Sequence, residues 1–332
     1  MSLKTKLLET IVQVMPDRQP DKLIQQQNTY IGQPISRVDG PLKVTGGAIF
    51  SAEYQLDNIC FAALAYSTIA KGKITRLDTS RALAAAGVLA VITHENSPKL
   101  AKPPLFHADG NGRGAAAGSV PVLQGPDIYW NGQPIALVVA DTQEAAEHAA
   151  ALVTAEYERA EAHTAFEAGK QHAKTPAAIL TEPAEVTVGD AEKELQKSAY
   201  YIDNLYHTPY YNHNALEPHS SIATFEEDGK LVVFDSTQHV NGVRGTLAIV
   251  FGLKPDRVQV CGPFVGGGFG GKGSVWLNTL LCVLAARQVG RPVKLALSRE
   301  GVFRLVGGRA ATEQRVALGA DADGHLRAII HE

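Results

Sequence analysis

The stretch GPFVGGGFGGKGSVW, Gly262 to Trp276, sets six glycines among the eight residues Gly266 to Gly273, with Phe269 and Lys272 as the only sizeable side chains. Glycine loses more backbone freedom on folding than any other residue, so such a run orders where its bare N–H groups find acceptors. Upstream, DRVQVCGPFV (Asp256 to Val265) alternates and then turns apolar, as a strand entering a core does. Downstream, Val275, Leu277, Leu280, Leu281, Leu284 and Ala285 recur at helical spacing over Ser274 to Val289, and Gly290 and Pro292 stop the pattern. The spacing predicts strand, glycine loop, helix. A turn of that plan offers several amides near the positive end of a helix, which suits an anionic group.

Gly266 to Lys272 fills the phosphate-loop pattern G-x-x-x-x-G-K, but position 273 is glycine, where a nucleotide hydrolase needs a Ser or Thr hydroxyl for Mg²⁺. The hydrolase reading predicts Mg²⁺-dependent nucleotide binding and fails at that residue. The plainer alternative is a turn whose glycines let a strand and a helix pack closely.

At 332 residues the chain buries a sizeable core and has room for two domains. Lys+Arg 31 against Asp+Glu 34 leaves a net charge of -3, which gives no footprint for nucleic acid or an anionic membrane surface. Cys60, Cys261 and Cys282 are widely spaced with no C-x-x-C pair, so neither an iron–sulfur nor a zinc cradle is expected within this chain. The N-terminus lacks an apolar core of signal-peptide length and no run of about 18 apolar residues occurs, which points to a cytoplasmic chain without membrane insertion.

Residues 1–30 read as an N-terminal extension with a short amphipathic helix around Leu7 to Val14. Over residues 31–160 strand and helix alternate: strands at Asn58 to Tyr66, Val88 to Thr93 and Ile135 to Ala140, a short helix at Thr79 to Ala86, and a helix after a capping box at Asp141–Glu144 running to Leu152. That alternation indicates a small α/β domain, interrupted by a long glycine-rich loop from Lys102 to Ser119. Residues 161–184 read as a linker. From residue 185 to 332 the pattern gives strands at Ala199 to Thr208, Ser221 to Phe225 and Leu231 to Ser236, a helix at Asn241 to Gly252, the glycine loop, and a final hairpin around Ala322-Asp323-Gly324. Because the last residues fall in mid-strand, the expectation is that the chain is one part of a longer or split polypeptide.

His207, His213, His219 and His239 match no metal-binding spacing and read as dispersed strand and loop histidines. More telling is an ordered set of motifs: Arg37-Val38-Asp39-Gly40-Pro41-Leu42-Lys43-Val44-Thr45-Gly46, Gly132-Gln133-Pro134-Ile135-Ala136-Leu137-Val138-Val139-Ala140, Glu217-Pro218-His219, Gln238, Gly266 to Lys272 and Gly290-Arg291-Pro292-Val293. In this order the sequence resembles the large chain of the molybdenum hydroxylases, the xanthine dehydrogenase and aldehyde oxidoreductase family. The resemblance covers Ile31 to Glu332. It implies an α+β fold: an α/β hammerhead domain followed by the first part of a mixed α/β molybdopterin-binding domain.

The resemblance further implies molybdopterin, as a dinucleotide such as the cytosine form, carrying molybdenum. Gln238, Gly267, Gly268, Phe269, Gly270 and Gly271 would lie against that cofactor, with Gln238 and Phe269 near the metal without ligating it. Lys272 is expected to complement a nearby phosphate or carboxylate. The family's general base is a glutamate near its far C-terminus, and no glutamate here matches it, so no catalytic residue is named and this chain alone is expected to be inactive. Electrons would leave through a 2Fe-2S subunit and an FAD subunit as separate partners, alongside the C-terminal half of the large subunit.

Purine-oxidising members carry a glutamate directly after the G-G-K of the loop, where this chain has Gly273. The implied substrate is therefore an aldehyde, oxidised to a carboxylic acid with water as the oxygen source. Ala70-Lys71-Gly72-Lys73-Ile74 and Gly87 to Thr93 look similar to the three-subunit bacterial aldehyde oxidoreductases, which implies a periplasmic alternative, with export on a partner's signal. Hydroxylation of an N-heterocycle, and a non-catalytic cofactor-binding or assembly module, are the competing readings.

Overall fold

The computed structural model describes residues 30–102, 123–175 and 185–332, with the two-residue stretches 107–108, 114–115, 178–179 and 182–183 between them. The helix expected over Leu7 to Val14 and most of the loop expected over Lys102 to Ser119 lie outside the described residues. The chain divides into two compact units, one ending at Ala48 and one running from Ile49 to Glu332. In the first, Arg37 to Gly46 contains a five-residue helix, Gly40–Val44, with proline in its first turn and Lys43 paired back to Asp39 at 2.6 Å.

The second unit is organised by a seven-stranded mixed sheet in the order Val258–Cys261, Leu231–Asp235, Ser220–Phe225, Val293–Ala296, Cys60–Tyr66, Pro134–Ala140 and Val88–Thr93. Its strands come from both sides of the stretch expected to be a linker. Strand Pro134–Ala140 is buried at every position. The reason is that both its faces are covered: Leu137 and Val139 join the core under the long helices, whereas Ala136, Val138 and Ala140 join a second core under helix Gln143–Leu152. That helix is capped by Thr142, whose side chain accepts from Ala145 N–H. The cap thus sits one residue later than expected, and no capping box forms, because Ala145 at the third position has no carboxylate to reach back.

Helices Val240–Phe251 and Leu277–Val289 cover one face of the large sheet through Val243, Leu247, Leu280, Leu281 and Leu284. Each ends on a left-handed glycine, Gly252 at φ 65° and Gly290 at φ 64°, as their sequence stops predict. The second helix starts at Leu277, three residues later than its apolar spacing suggests, since Gly271 to Trp276 is used to close the loop. Two strands, Gly72–Asp78 and Thr154–Arg159, pair with each other and were not anticipated: their charged alternation faces solvent and mimics a loop. The expected linker contains a five-residue helix, Phe166–Lys170. A separate three-stranded sheet, Tyr200–Thr208, Thr312–Ala320 and Leu326–His331, carries the expected hairpin, turned by Gly324 at φ 86°. Helix Ala191–Lys197 buries Leu195 against its Ala317, Ala328 and Ile330.

Candidate functional site

The glycine loop sits at the ends of the two long helices nearest Gln238 and Trp276, and its glycines serve two different needs. Gly267 at φ 92° and Gly270 at φ 89° occupy the left-handed region where a side chain is strained. The other need is room. A Cβ on Gly266 would lie 2.5 Å from Glu217 Cβ, one on Gly268 would lie 2.3 Å from Gln238 Cδ and Oε1, and one on Gly271 would lie 2.7 Å from the His213 ring. Three polar side chains therefore pack directly on bare backbone. Phe269 is left-handed too, at φ 53°, and the residue is 73% exposed. An aromatic residue in that conformation is held at a cost of about 1–2 kcal/mol.

Five of the loop's amides, those of Gly266, Gly270, Gly271, Lys272 and Gly273, find acceptors within the protein, which leaves fewer for an anionic group than the glycine run suggests. Gly266 N–H donates to Glu217 Oε2 at 2.7 Å, Gly271 N–H to Gly268 O at 2.7 Å and Gly273 N–H to Gly270 O at 3.1 Å. Gln238 Oε1 accepts from both Gly270 N–H at 3.2 Å and Lys272 N–H at 3.3 Å. Two donors facing one atom identify it as the oxygen, so the Gln238 NH₂ is the end turned outward, and it meets no acceptor among the described residues. The backbone of Gln238 is itself fixed, its N–H donating to Lys272 O at 2.8 Å.

Beneath the loop the Lys272 side chain is fully buried and pairs with Glu217 Oε2 at 2.6 Å. The expectation that its charge complements a carboxylate is met. Burial lowers the Lys272 pKa, and the hydrogen bond that Lys272 donates to Glu217 opposes the shift. Glu217 spends its other oxygen on the Ser51 hydroxyl at 3.4 Å. Further in, the buried Asp235 carboxylate accepts from Ser221 and, at 3.0 Å, from Thr279. Its burial raises it to about 6.

Of the four histidines, His219 and His213 reach the loop, and among the described residues none of the four joins a group of three metal-ligating side chains. His219 Nε2 donates to Gly271 O at 3.0 Å, and burial pulls this histidine down to about 4, so it is neutral near pH 7. The same carbonyl accepts from Trp276 Nε1. Sequence reasoning assigned no part to Trp276, Ser51 or Arg299, which donates to Ala215 O at 2.7 Å and Leu216 O at 3.0 Å. Glu217 and His219, which stand together in one of the motifs, do both reach the loop.

The profile for the aldehyde oxidase and xanthine dehydrogenase a/b hammerhead domain matches residues 45–161, and that for the molybdopterin cofactor-binding domain matches residues 171–332. The chain is 38% identical over 308 residues to the aldehyde oxidoreductase molybdenum-binding subunit PaoC of Escherichia coli K12, covering 92% of this chain and 40% of that subunit. To the xanthine dehydrogenase molybdenum-binding subunit of Escherichia coli O157:H7 it is 31% identical over 297 residues, 88% of this chain and 39% of that one. Among solved structures, quinoline 2-oxidoreductase from Pseudomonas putida 86 matches with TM-score 0.76 at 24% identity over 90% of this chain and 38% of that one. The aldehyde oxidoreductase from Desulfovibrio gigas matches with TM-score 0.71 at 24% identity over 87% of this chain and 33% of that one. With these matches running in chain order over both domains, the chain belongs to the molybdenum hydroxylase family of aldehyde oxidoreductases and xanthine dehydrogenases, of which it carries the hammerhead domain and molybdopterin-binding sequence.

Proposed function

We propose that the Gly266 to Gly273 loop and Gln238 seat molybdopterin, and that the complete enzyme oxidises an aldehyde to a carboxylic acid with water as the oxygen source. The observation that carries the reading is the orientation of Gln238: its oxygen is consumed by the loop and its NH₂ is free to donate outward. Beside it no atom lies within 4 Å of where a Gly270 side chain would sit, so an acceptor-rich group can approach the backbone there. In this reading Gly267, Gly268, Phe269, Gly270 and Gly271 lie against the pterin, and Gln238 and Phe269 stand near molybdenum without ligating it.

Bound there, the cofactor supplies two-electron oxidation of the substrate carbon. The chain's own residues position and enclose. Gln238 donates to an oxygen of the bound group, which is electrostatic preorganisation and moves no proton. Phe269, exposed on the loop, offers the apolar wall that orients an aldehyde and excludes water. Glu217 is not assigned the general-base role, because Lys272, Gly266 and Ser51 already engage its oxygens. Gly273 offers no side chain to hydrogen-bond a purine, and a Cβ there would lie 3.2 Å from Gly270 O. The greater identity to an aldehyde oxidoreductase subunit than to a xanthine dehydrogenase subunit supports the same substrate class.

Electron acceptors in this reading are a 2Fe-2S subunit and an FAD subunit, consistent with Cys60, Cys261 and Cys282 being free and without a C-x-x-C pair. No helix among the described residues is long and apolar enough to cross a membrane. The test is mass spectrometry for molybdenum and pterin on this chain purified with the products of its neighbouring genes. Stoichiometric molybdenum with iron alongside is expected, and an intact complex without molybdenum refutes the seat. Turnover of heterocycles with aldehydes untouched refutes the substrate. Phe269→Ala is expected to cut turnover more than cofactor content; equal loss of both would reduce Phe269 to a packing role.

A further inference from the structure

Behind the loop lies a small cavity bounded by Asn212, His213, Ala215, His219, Arg299 and Val302. Two of these residues carry a buried polar atom with no partner among the described residues, His219 Nδ1 and Arg299 Nη1. Their needs are opposite. Gly271 O can only accept, so the His219 hydrogen is on Nε2 and Nδ1 is a bare acceptor. Arg299 anchors itself through Nη2 on the carbonyls of Ala215 and Leu216, and its Nη1 has only N–H to give. Left unmade, each of these groups costs about 1–3 kcal/mol.

The occupant must therefore accept from a guanidinium and donate to an imidazole nitrogen. A cation cannot accept from Arg299, a monatomic anion has no hydrogen for His219, and a polyatomic anion is too large for the space. The centre of a water molecule can range over about 10 Å³ here, which is room for one. We propose that the cavity holds one ordered water, accepting from Arg299 Nη1 and donating to His219 Nδ1, and that through it Arg299 and His219 act as positioning residues for the glycine loop. The water satisfies Nδ1 in the tautomer that the Gly271 carbonyl sets, and His219 with Trp276 holds the carbonyl of the Gly271–Lys272 peptide. The N–H of that same peptide unit is held by Gln238. Its plane is clamped at both ends, and with it the outward direction of the Gln238 NH₂.

The site is built from protein atoms alone, so it stands independently of the cofactor reading. A crystal structure of the complete enzyme at a resolution that places waters is expected to show one density peak within hydrogen-bond reach of both atoms. An empty cavity, or a side chain turned into it, overturns the proposal. Hydrogen exchange supplies a second readout: Arg299→Met is expected to speed exchange at the Gly270 to Gly273 amides about five- to tenfold, the equivalent of one lost hydrogen bond. Faster exchange confined to helix Arg299–Leu305 would mean that Arg299 only packs, and would overturn the positioning role. Should the variant fail to fold, the density decides. Molybdenum read on the same samples separates the two ideas, since its absence counts against the cofactor seat and leaves the water site standing.

Discussion

Gly268→Ala tests whether the loop's central glycine is needed for its backbone conformation or for the space beside it. Its φ lies outside the left-handed region, so alanine meets no backbone strain there. The added Cβ would instead lie 2.3 Å from Gln238 Cδ and Oε1, a separation that non-bonded atoms do not tolerate. Gln238 must swing away, releasing the N–H groups of Gly270 and Lys272 that it held at 3.2 and 3.3 Å. Water replaces it at the exposed Gly270 amide at little cost, whereas the amide of the buried Lys272 bears most of the loss, giving about 1–2 kcal/mol in all. Gln238→Ala removes the same acceptor and should cost about as much. The decisive measurement is the double variant, by urea denaturation followed through tryptophan fluorescence. Since alanine at 238 also removes the clash, the double variant should cost no more than either single one, a non-additivity of about 1–2 kcal/mol. Additive losses, or single variants within about 0.5 kcal/mol of the parent, would show that Gln238 and Gly268 do not share one space.

The pH dependence of stability should hide two opposing slopes. His219, at about 4 in the fold against 6.5 free, contributes stability present above 6.5 and lost as pH falls through 4, about 3 kcal/mol in full. Asp235, raised to about 6 from 3.8, contributes stability present below 3.8 and lost as pH rises through 6, of similar size. The parent should be nearly flat between these limits, Asp235→Asn should gain stability with rising pH and His219→Gln should lose it; urea midpoints with the same slope in all three would sink the assignment. Lys272→Met leaves the Glu217 carboxylate without its cation and should cost about 3–5 kcal/mol, with part of that recovered on adding Glu217→Gln; a single-variant loss under about 1 kcal/mol would mean that water reaches the pair.

Elements whose apolar pattern had one dominant partner were read from sequence closely. Strand Pro134–Ala140 and helix Leu277–Val289 are apolar because both sit inside the core, and Gly252 and Gly290 stop their helices by a local conformational rule that needs no tertiary information. Strands Gly72–Asp78 and Thr154–Arg159 are hard to read because they pair in a small outer sheet, with each other and with Asp127–Ile128, and charges are spread along both. Pairing of Cys60–Tyr66 with Val293–Ala296, which merges the two halves of the chain into one sheet, is likewise invisible in any local window.

The loop shows why a site is harder to read than a fold. A run of glycines advertises unfilled amides, and sequence alone cannot tell whether their acceptor is a ligand or another part of the chain. Here the acceptor at Lys272 N–H is Gln238, 34 residues upstream. Gln238 is also the residue that changes what the loop presents. It accepts two backbone hydrogens on one atom and exposes an NH₂ with two of its own, so the loop's donor capacity is moved outward onto a side chain. A backbone amide can donate in one direction; a glutamine clamped at its oxygen holds a pair of donors at a distance set by its own length. That exchange requires glycine at 268 for room and a held peptide at Gly271–Lys272 for direction, which is why the residues around the loop matter as much as the loop itself.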